Sequence, residues 1–185
     1  MTQEREEHHH RGKFTEGLLN TPAILDALDI RQGQVILDAG CGNGYMSKIF
    51  SEALSGKGKV ISVDTDKYFI GKLKEEAKGT LIEVIEGDIT GRTDIESASV
   101  DTVYISTVMH GFSKQRFQDF VEEASRLLRP KGRLAVVEME KKDTPFGPPV
   151  HLRYSPEELM EKIPLVPGKT ISAGEHFYLQ IFIKP

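Results

Sequence analysis

The sequence predicts an α/β fold: a doubly wound, mostly parallel sheet of about seven strands with an antiparallel strand at its C-terminal end. Three observations carry this prediction. Short apolar runs alternate with stretches whose apolar residues recur at spacings of three and four, the signatures of strand and amphipathic helix in turn. Several runs, Leu134-Ala135-Val136-Val137 among them, are apolar at every position, as strands covered on both faces are. The first run opens directly into a glycine cluster, Gly40-Cys41-Gly42-Asn43-Gly44, and a helix rises out of it.

The first dozen residues are nearly all polar or charged, so residues 1–19 read as a polar arm able to move, and residues 20–185 as one domain. Thr21 and Pro22 resemble an N-cap and a first helical position, with Ile24, Leu25 and Leu28 at helical spacing behind them, which predicts a helix over 21–28. Val35 to Ala39 reads as a buried strand. After the glycines, Met46, Ile49, Phe50, Ala53 and Leu54 mark the next helix. The alternation continues through a strand at 59–64, a helix at 68–77, strands at 81–85 and 101–106, and a helix at 114–128. Arg129-Pro130-Lys131-Gly132 stops that helix in a turn, and the strand 133–139 follows. Residues 141–149 form a loop, and Ser155-Pro156-Glu157-Glu158 opens a short capped helix. Strands at 169–173 and 176–183, joined through Gly174-Glu175, fit only a hairpin.

Bulk chemistry narrows the partners. With a formal net charge of −4 the chain has no excess of positive charge for a phosphate backbone, so nucleic acid is disfavoured. No run approaches the ~18 apolar residues of a membrane span, and the N-terminus lacks the apolar core of a secretory signal; a cytoplasmic protein without a membrane partner is expected. The single cysteine, Cys41, allows neither an internal disulfide nor a cysteine-rich metal site. His8, His9 and His10 are adjacent on the polar arm, which does not preorganise ligands, so no metal is expected.

The informative segment is Val35-Ile36-Leu37-Asp38-Ala39-Gly40-Cys41-Gly42-Asn43-Gly44-Tyr45. Glycines at alternate positions after a strand let the backbone turn sharply and approach a ligand, while the following helix offers free N–H groups. A nucleotide-like ligand fits such a turn. A dinucleotide fingerprint would carry a third glycine where Tyr45 stands, and Asp38 would repel a pyrophosphate while attracting a cationic ammonium. That charge pattern favours S-adenosylmethionine over NAD. No Gly-Lys-Ser/Thr follows, which excludes a Walker loop. About twenty residues on, the strand ending in Asp64 places an acid where a ribose diol would lie. Asp66 is the backup, although it fits better as a helix cap.

Taken together, VILDAGCGNG, VISVDTD, EGDI, VDTVYISTVMH and LLRPKGRLAVVE resemble the successive motifs of class I S-adenosylmethionine-dependent methyltransferases, over residues 20–185. The sequence is further similar to the small methyltransferases grouped with quinone-biosynthesis C-methyltransferases. The resemblance implies a Rossmann-like sheet and a cofactor site. In it Asp38, Gly40 and Gly42 line the methionine portion, Asp64 holds the ribose, and Asp88 with Ile89 borders the adenine, with Cys41 and Thr65 as further cofactor-binding residues; Ser106 to His110 pass beneath the sulfonium methyl.

Methyl transfer from a sulfonium is an in-line displacement, so such a protein mainly aligns the reactants and excludes water. His110, delivered to the C-terminal edge of the sheet, is a candidate base or acceptor-positioning residue, against the plainer role of ordering its loop. Glu138, near the end of the fifth strand, is a second candidate for the acceptor pocket. Little chain follows that strand, so the arm through Phe14 and the loop carrying Phe146, Pro148, Pro149 and Arg153 are expected to complete the pocket, with Arg153 pairing an acidic acceptor. Ser106-Thr107-Val108-Met109 stands where methyltransferases of nucleic-acid bases carry Asn/Asp-Pro-Pro-Tyr, and one cysteine is too few for arsenite; a small organic acceptor is the expected partner, and a homodimer the expected assembly. Two other readings stay open at this point: a cofactor-binding accessory protein without catalysis, and an NAD-dependent oxidoreductase.

Overall fold

Residues 15–185 are described by the structure, a computed structural model, and the strands among them join one sheet in the order β3-β2-β1-β4-β5-β7-β6. The elements are α1 (Thr21–Leu28), β1 (Val35–Ala39), α2 (Tyr45–Ala53), β2 (Lys59–Asp64), α3 (Lys67–Glu76), β3 (Ile82–Glu86), β4 (Val100–Ser106), α4 (Lys114–Leu127), β5 (Leu128–Met139), α5 (Pro156–Lys162), β6 (Val166–Gly174) and β7 (Phe177–Ile183). Strands β1 to β5 pair in parallel; β7 runs antiparallel between β5 and β6. The expected sheet is therefore present, and the hairpin adds a second antiparallel pairing at its edge, with β6 running in the direction of β1 to β5.

Alternate side chains of each strand enter opposite layers, which is why the strands read as continuous apolar runs. On one face Leu37, Val103, Leu134 and Val136 pack with Phe117, Phe120, Val121 and Leu127 of α4. On the other, Ile36, Tyr104, Ala135 and Val137 pack with Ile24 and Leu28 of α1 and Met46 and Phe50 of α2. The chain winds outward from β1 to β3 and then returns to β4 on the opposite side of β1. Their C-terminal ends thus flank the point where the winding reverses, the place where open parallel sheets leave a crevice.

Three local boundaries differ from the sequence reading. The N-cap of α1 is Asn20, not Thr21: its side-chain oxygen accepts from the Ala23 N–H at 3.3 Å, and its own N–H donates to the Ala173 carbonyl at 2.8 Å, which holds it outside the helix. Residues 129–132 do not form a turn between helix and strand but belong to β5 as a bulge. Val100 pairs with Leu128 and Thr102 with Arg133, so several residues of β5 oppose Asp101 alone. Lys131 takes the left-handed conformation there, its N–H donates to Lys184, and Arg129 reaches Asp101 at 2.8 Å. The hairpin turn is Glu175-His176, one residue later than expected, because Gly174 still pairs with Phe177; β6 also starts earlier, at an exposed end without an apolar signal.

At the end of the expected arm Leu19 is buried in the α1 layer, while residues 16–18 are exposed. Among the described residues no helix is long and apolar enough to cross a membrane.

Candidate active site

A cavity of about 910 Å³ opens over the C-terminal ends of β1, β2 and β4. Its floor is the glycine turn. The N–H groups of Gly40 and Cys41 both donate to the Val63 carbonyl, at 2.8 and 3.1 Å, which ties the turn to β2. Gly40, Gly42 and Gly44 all have left-handed φ, at 70°, 52° and 73°, where a side chain is strained. A Cβ on Gly40 would come within 2.8 Å of the Val108 side chain, and one on Gly44 would strike Leu73 of α3. Gly44 thus lets the turn pack closely against α3, and Tyr45 begins α2.

Asp64 ends β2 and braces this turn from the side. One carboxylate oxygen accepts from the Gly42 N–H and the other from the Asp66 N–H, each at 2.8 Å. Asp66 caps α3, accepting from Tyr68 and Phe69, and so sets those two aromatic residues on the cavity wall. Asp38 lies deeper and is almost wholly buried. The Ser47 hydroxyl donates to it at 2.5 Å and itself receives the Ser62 hydroxyl at 2.8 Å. Burial pushes the Asp38 carboxyl up to about 7; the Ser47 hydroxyl opposes the rise and the negative Asp64 adds to it. Burial, with the charges of Asp38 and Asp64, also raises the Cys41 thiol, which excludes it as a ready nucleophile.

Across the cavity, Thr107 follows β4 in the left-handed region, and a single helical turn, Met109–Gly111, is anchored by buried Met109. This turn sets His110 over Glu138. His110 Nδ1 lies 3.0 Å from Glu138 Oε2, and the His110 backbone N–H donates to Oε1 at 3.4 Å. Glu138 is fully buried, while the imidazole is 21% exposed and lines the cavity. Arg116, from the first turn of α4, lines the same wall; it lies over the Phe112 ring at 5.6 Å and pairs with Asp88 at 3.0 Å.

Residues 36–132, more than half of the chain, match a protein family described as a methyltransferase domain. The chain belongs to this family. As a class I, S-adenosylmethionine-dependent methyltransferase domain it resembles the demethylmenaquinone methyltransferase of Lactococcus lactis, 32% identical over 62% of this chain and 45% of that protein. It likewise resembles the protein-L-isoaspartate O-methyltransferase 2 of Archaeoglobus fulgidus, 29% identical over 61% and 49%. The chain spans about half the length, or less, of the curated relatives it matches. Among solved structures, a SAM-dependent methyltransferase from Aquifex aeolicus superposes with a TM-score of 0.82 over 92% of this chain and 93% of that one, at 21% identity, which is a likeness of fold.

The cavity gathers most of the residues that the sequence singled out. Asp38, Gly40, Cys41, Gly42, Asp64, Thr65, Ser106 and His110 line one cavity, with Glu138 directly behind His110. The donor set fits the cofactor such a domain uses: two acids at two depths, a glycine turn without side chains, and two buried hydroxyl oxygens, Tyr104 Oη and Ser106 Oγ, that border the cavity. Asp88 stands beside the cavity, paired with Arg116 of its wall. It borders a separate groove of about 530 Å³ along β2 and β3, and its carboxylate is held by Thr90 and Arg116. Partial burial would raise it, but those bonds and the Arg116 charge outweigh this and lower it. Ile89 is a core residue.

The C-terminal loop does not complete the pocket. Arg153 is buried, and its guanidinium donates to the carbonyls of Glu140, Lys142, Phe146 and Pro148, so an acidic acceptor finds no free fork there. Phe146 packs on His176 and Phe177, and Pro148 and Pro149 stay with it, away from the cavity wall. Phe14, His8, His9 and His10 lie outside the described residues. Thr15 does line the cavity, so the chain reaches the site from its N-terminal side. Tyr68, Phe69, Phe112 and Arg116 went unrecognised in the sequence; the Asp66 cap, which fixes the first turn of α3 beside the ribose acid, was the one signal that pointed to the first two.

Proposed function

We propose that this chain transfers a methyl group from S-adenosylmethionine to a small organic acceptor within the cavity above β1, β2 and β4. One observation carries the reading: Asp38, the glycine turn and Asp64 share that cavity with His110, so cofactor-type and acceptor-type residues meet in one space. When bound, the cofactor supplies a methyl group on a cationic sulfur, open to in-line attack. Asp38 would hold its amine end, since an ionised carboxylate is the buried partner an ammonium needs. Asp64 has lone pairs left beyond the two N–H groups it accepts and would take the ribose hydroxyls. Tyr68 and Phe69 give the cavity an aromatic wall beside Asp64, and Phe112 gives it one beside His110.

The net charge of −4 supports a small molecule rather than a nucleic acid as acceptor. A chain with one cysteine, buried and unpaired, asks for no oxidising compartment, which supports a cytoplasmic location. Calorimetry tests the cofactor assignment: S-adenosylhomocysteine should bind in the micromolar range and NAD should not. Asp64→Ala should weaken that binding at least ~10-fold, the loss of one charge-assisted pair. Tighter binding of NAD, or an unaltered affinity in the variant, would overturn it.

A further inference from the structure

Glu138 raises a question that cofactor binding leaves unanswered. It sits between Val137 and Met139 near the end of a central strand, fully buried, where an apolar residue would be the less costly choice. Among the described residues both of its hydrogen bonds come from His110, and no lysine or arginine pairs with it. Oε1 of Glu138 accepts the His110 backbone N–H, and a carboxylate that accepts through Oε2 as well places the proton of the 3.0 Å contact on Nδ1 of His110. The other ring nitrogen, Nε2, then carries a lone pair, has no partner among the described residues, and belongs to a ring that lines the cavity.

Resting on the methyl-transfer reading, we propose that His110 is the general base for an acceptor that must lose a proton, a phenol or enol hydroxyl, and that Glu138 is the residue that positions it. A base has no use for an acceptor with no proton to lose at the attacking atom, such as a thioether or an ionised thiol. The Phe112 ring, two residues from His110 on the same cavity, suits a flat, unsaturated acceptor. In the step, the acceptor oxygen forms a bond to the methyl carbon as the carbon–sulfur bond breaks. The electron pair of the broken bond stays on sulfur, giving the neutral thioether. The hydroxyl proton passes to His110 Nε2, and the imidazolium, paired with Glu138, returns it to water after the product leaves. A phenol with an ordinary pKa near 10 is matched to imidazole only because its proton leaves while the methyl arrives.

The surroundings leave the pair free to act as a unit. Tyr178 of β7 lies across from Glu138 in register, with its hydroxyl donating to the Tyr154 carbonyl; Tyr154 follows, then Lys141 and Glu158, which pair with each other. Asp38 and Arg116 share the cavity with His110.

The test uses the full chain, methyl-labelled S-adenosylmethionine, and catechol, hydroquinone and 4-hydroxybenzoate as probes. Wild-type protein should methylate at least one probe on oxygen, with kcat/KM rising with pH along one limb. His110→Ala should lose about 100-fold in kcat, lose that rising limb, and recover activity with added imidazole. Glu138→Gln should lose a similar factor, because the amide donates to Nδ1 and moves the proton to Nε2. Nitrogen NMR of the His110 ring provides a readout independent of turnover: the Nδ1-protonated tautomer in wild type, and the other in Glu138→Gln. Affinity for S-adenosylhomocysteine should be unchanged in His110→Ala. Its absence in the wild type would instead sink the methyl-transfer reading itself. Methylation of none of the probes, a pH limb that survives in His110→Ala, or an Nε2-protonated ring in the wild type would each overturn the base assignment.

Discussion

Asp38 is the residue whose environment most constrains the site's behaviour. A carboxyl pushed up to about 7 is mostly neutral at pH 6, yet an ammonium partner needs it ionised. In the free protein this group binds a proton on folding between an unfolded value near 4 and about 7, so its contribution to stability falls as pH rises through that window. Cofactor binding reverses the balance by favouring the charged form. Calorimetry at pH 6 in buffers of different ionisation enthalpy should therefore show roughly one proton released per cofactor bound, and little release at pH 8. Asp38→Asn should abolish the release; a wild-type protein that binds without it would show that Asp38 does not meet the amine. Asp38, Asp64 and the glycines were legible in the sequence because each lies within a strand-turn-helix unit whose geometry is local. Arg116 was not, since its value depends on Asp88, 28 positions away and brought near only by the sheet.

At the level of elements, the sequence shows where apolar faces lie but not which polar groups are already engaged. Arg153 illustrates the limit. An arginine in a proline-rich loop after the last parallel strand looks available to an anion, yet the fold turns it inward as the hub of residues 140–148. Arg153→Ala would leave the carbonyls of Glu140, Lys142, Phe146 and Pro148 without that donor and open a gap beside Met139. A loss of about 2–4 kcal/mol in urea unfolding is expected, with cofactor affinity unchanged. A variant of native stability and weakened acceptor binding would restore the sequence reading. The bulge in β5 was hidden for a related reason. Pro130 and Gly132 signal a break in any helix, and only the neighbouring strand decides whether that break becomes a turn or two lengths of chain opposing Asp101.

At the scale of the molecule, the order of strands fixes the site more firmly than any single side chain. The chain leaves β1 in one direction to build β2 and β3 and resumes at β4 on the other side, so the loops after β1 and β4 diverge and open the cavity between them. The β6–β7 hairpin closes the far edge and contributes no residue to the cavity wall. The alternation of strands and helices made this plan readable, whereas the separate groove along β2 and β3 arises because residues 87–99 cross without a helix, which no motif announces. Hydrogen exchange tests the division of labour. With S-adenosylhomocysteine at about 100 times its Kd, the gain in stability of the bound state is about 2.7 kcal/mol, enough for protection of up to roughly 100-fold where opening exposes the site. That protection should fall on the turn 40–45, the start of α3 at 65–69 and the segment 106–112. The β6–β7 hairpin should exchange as before in all locally opening amides. Protection centred on residues 83–96 would place the ligand in the other groove and detach the glycine turn from cofactor binding.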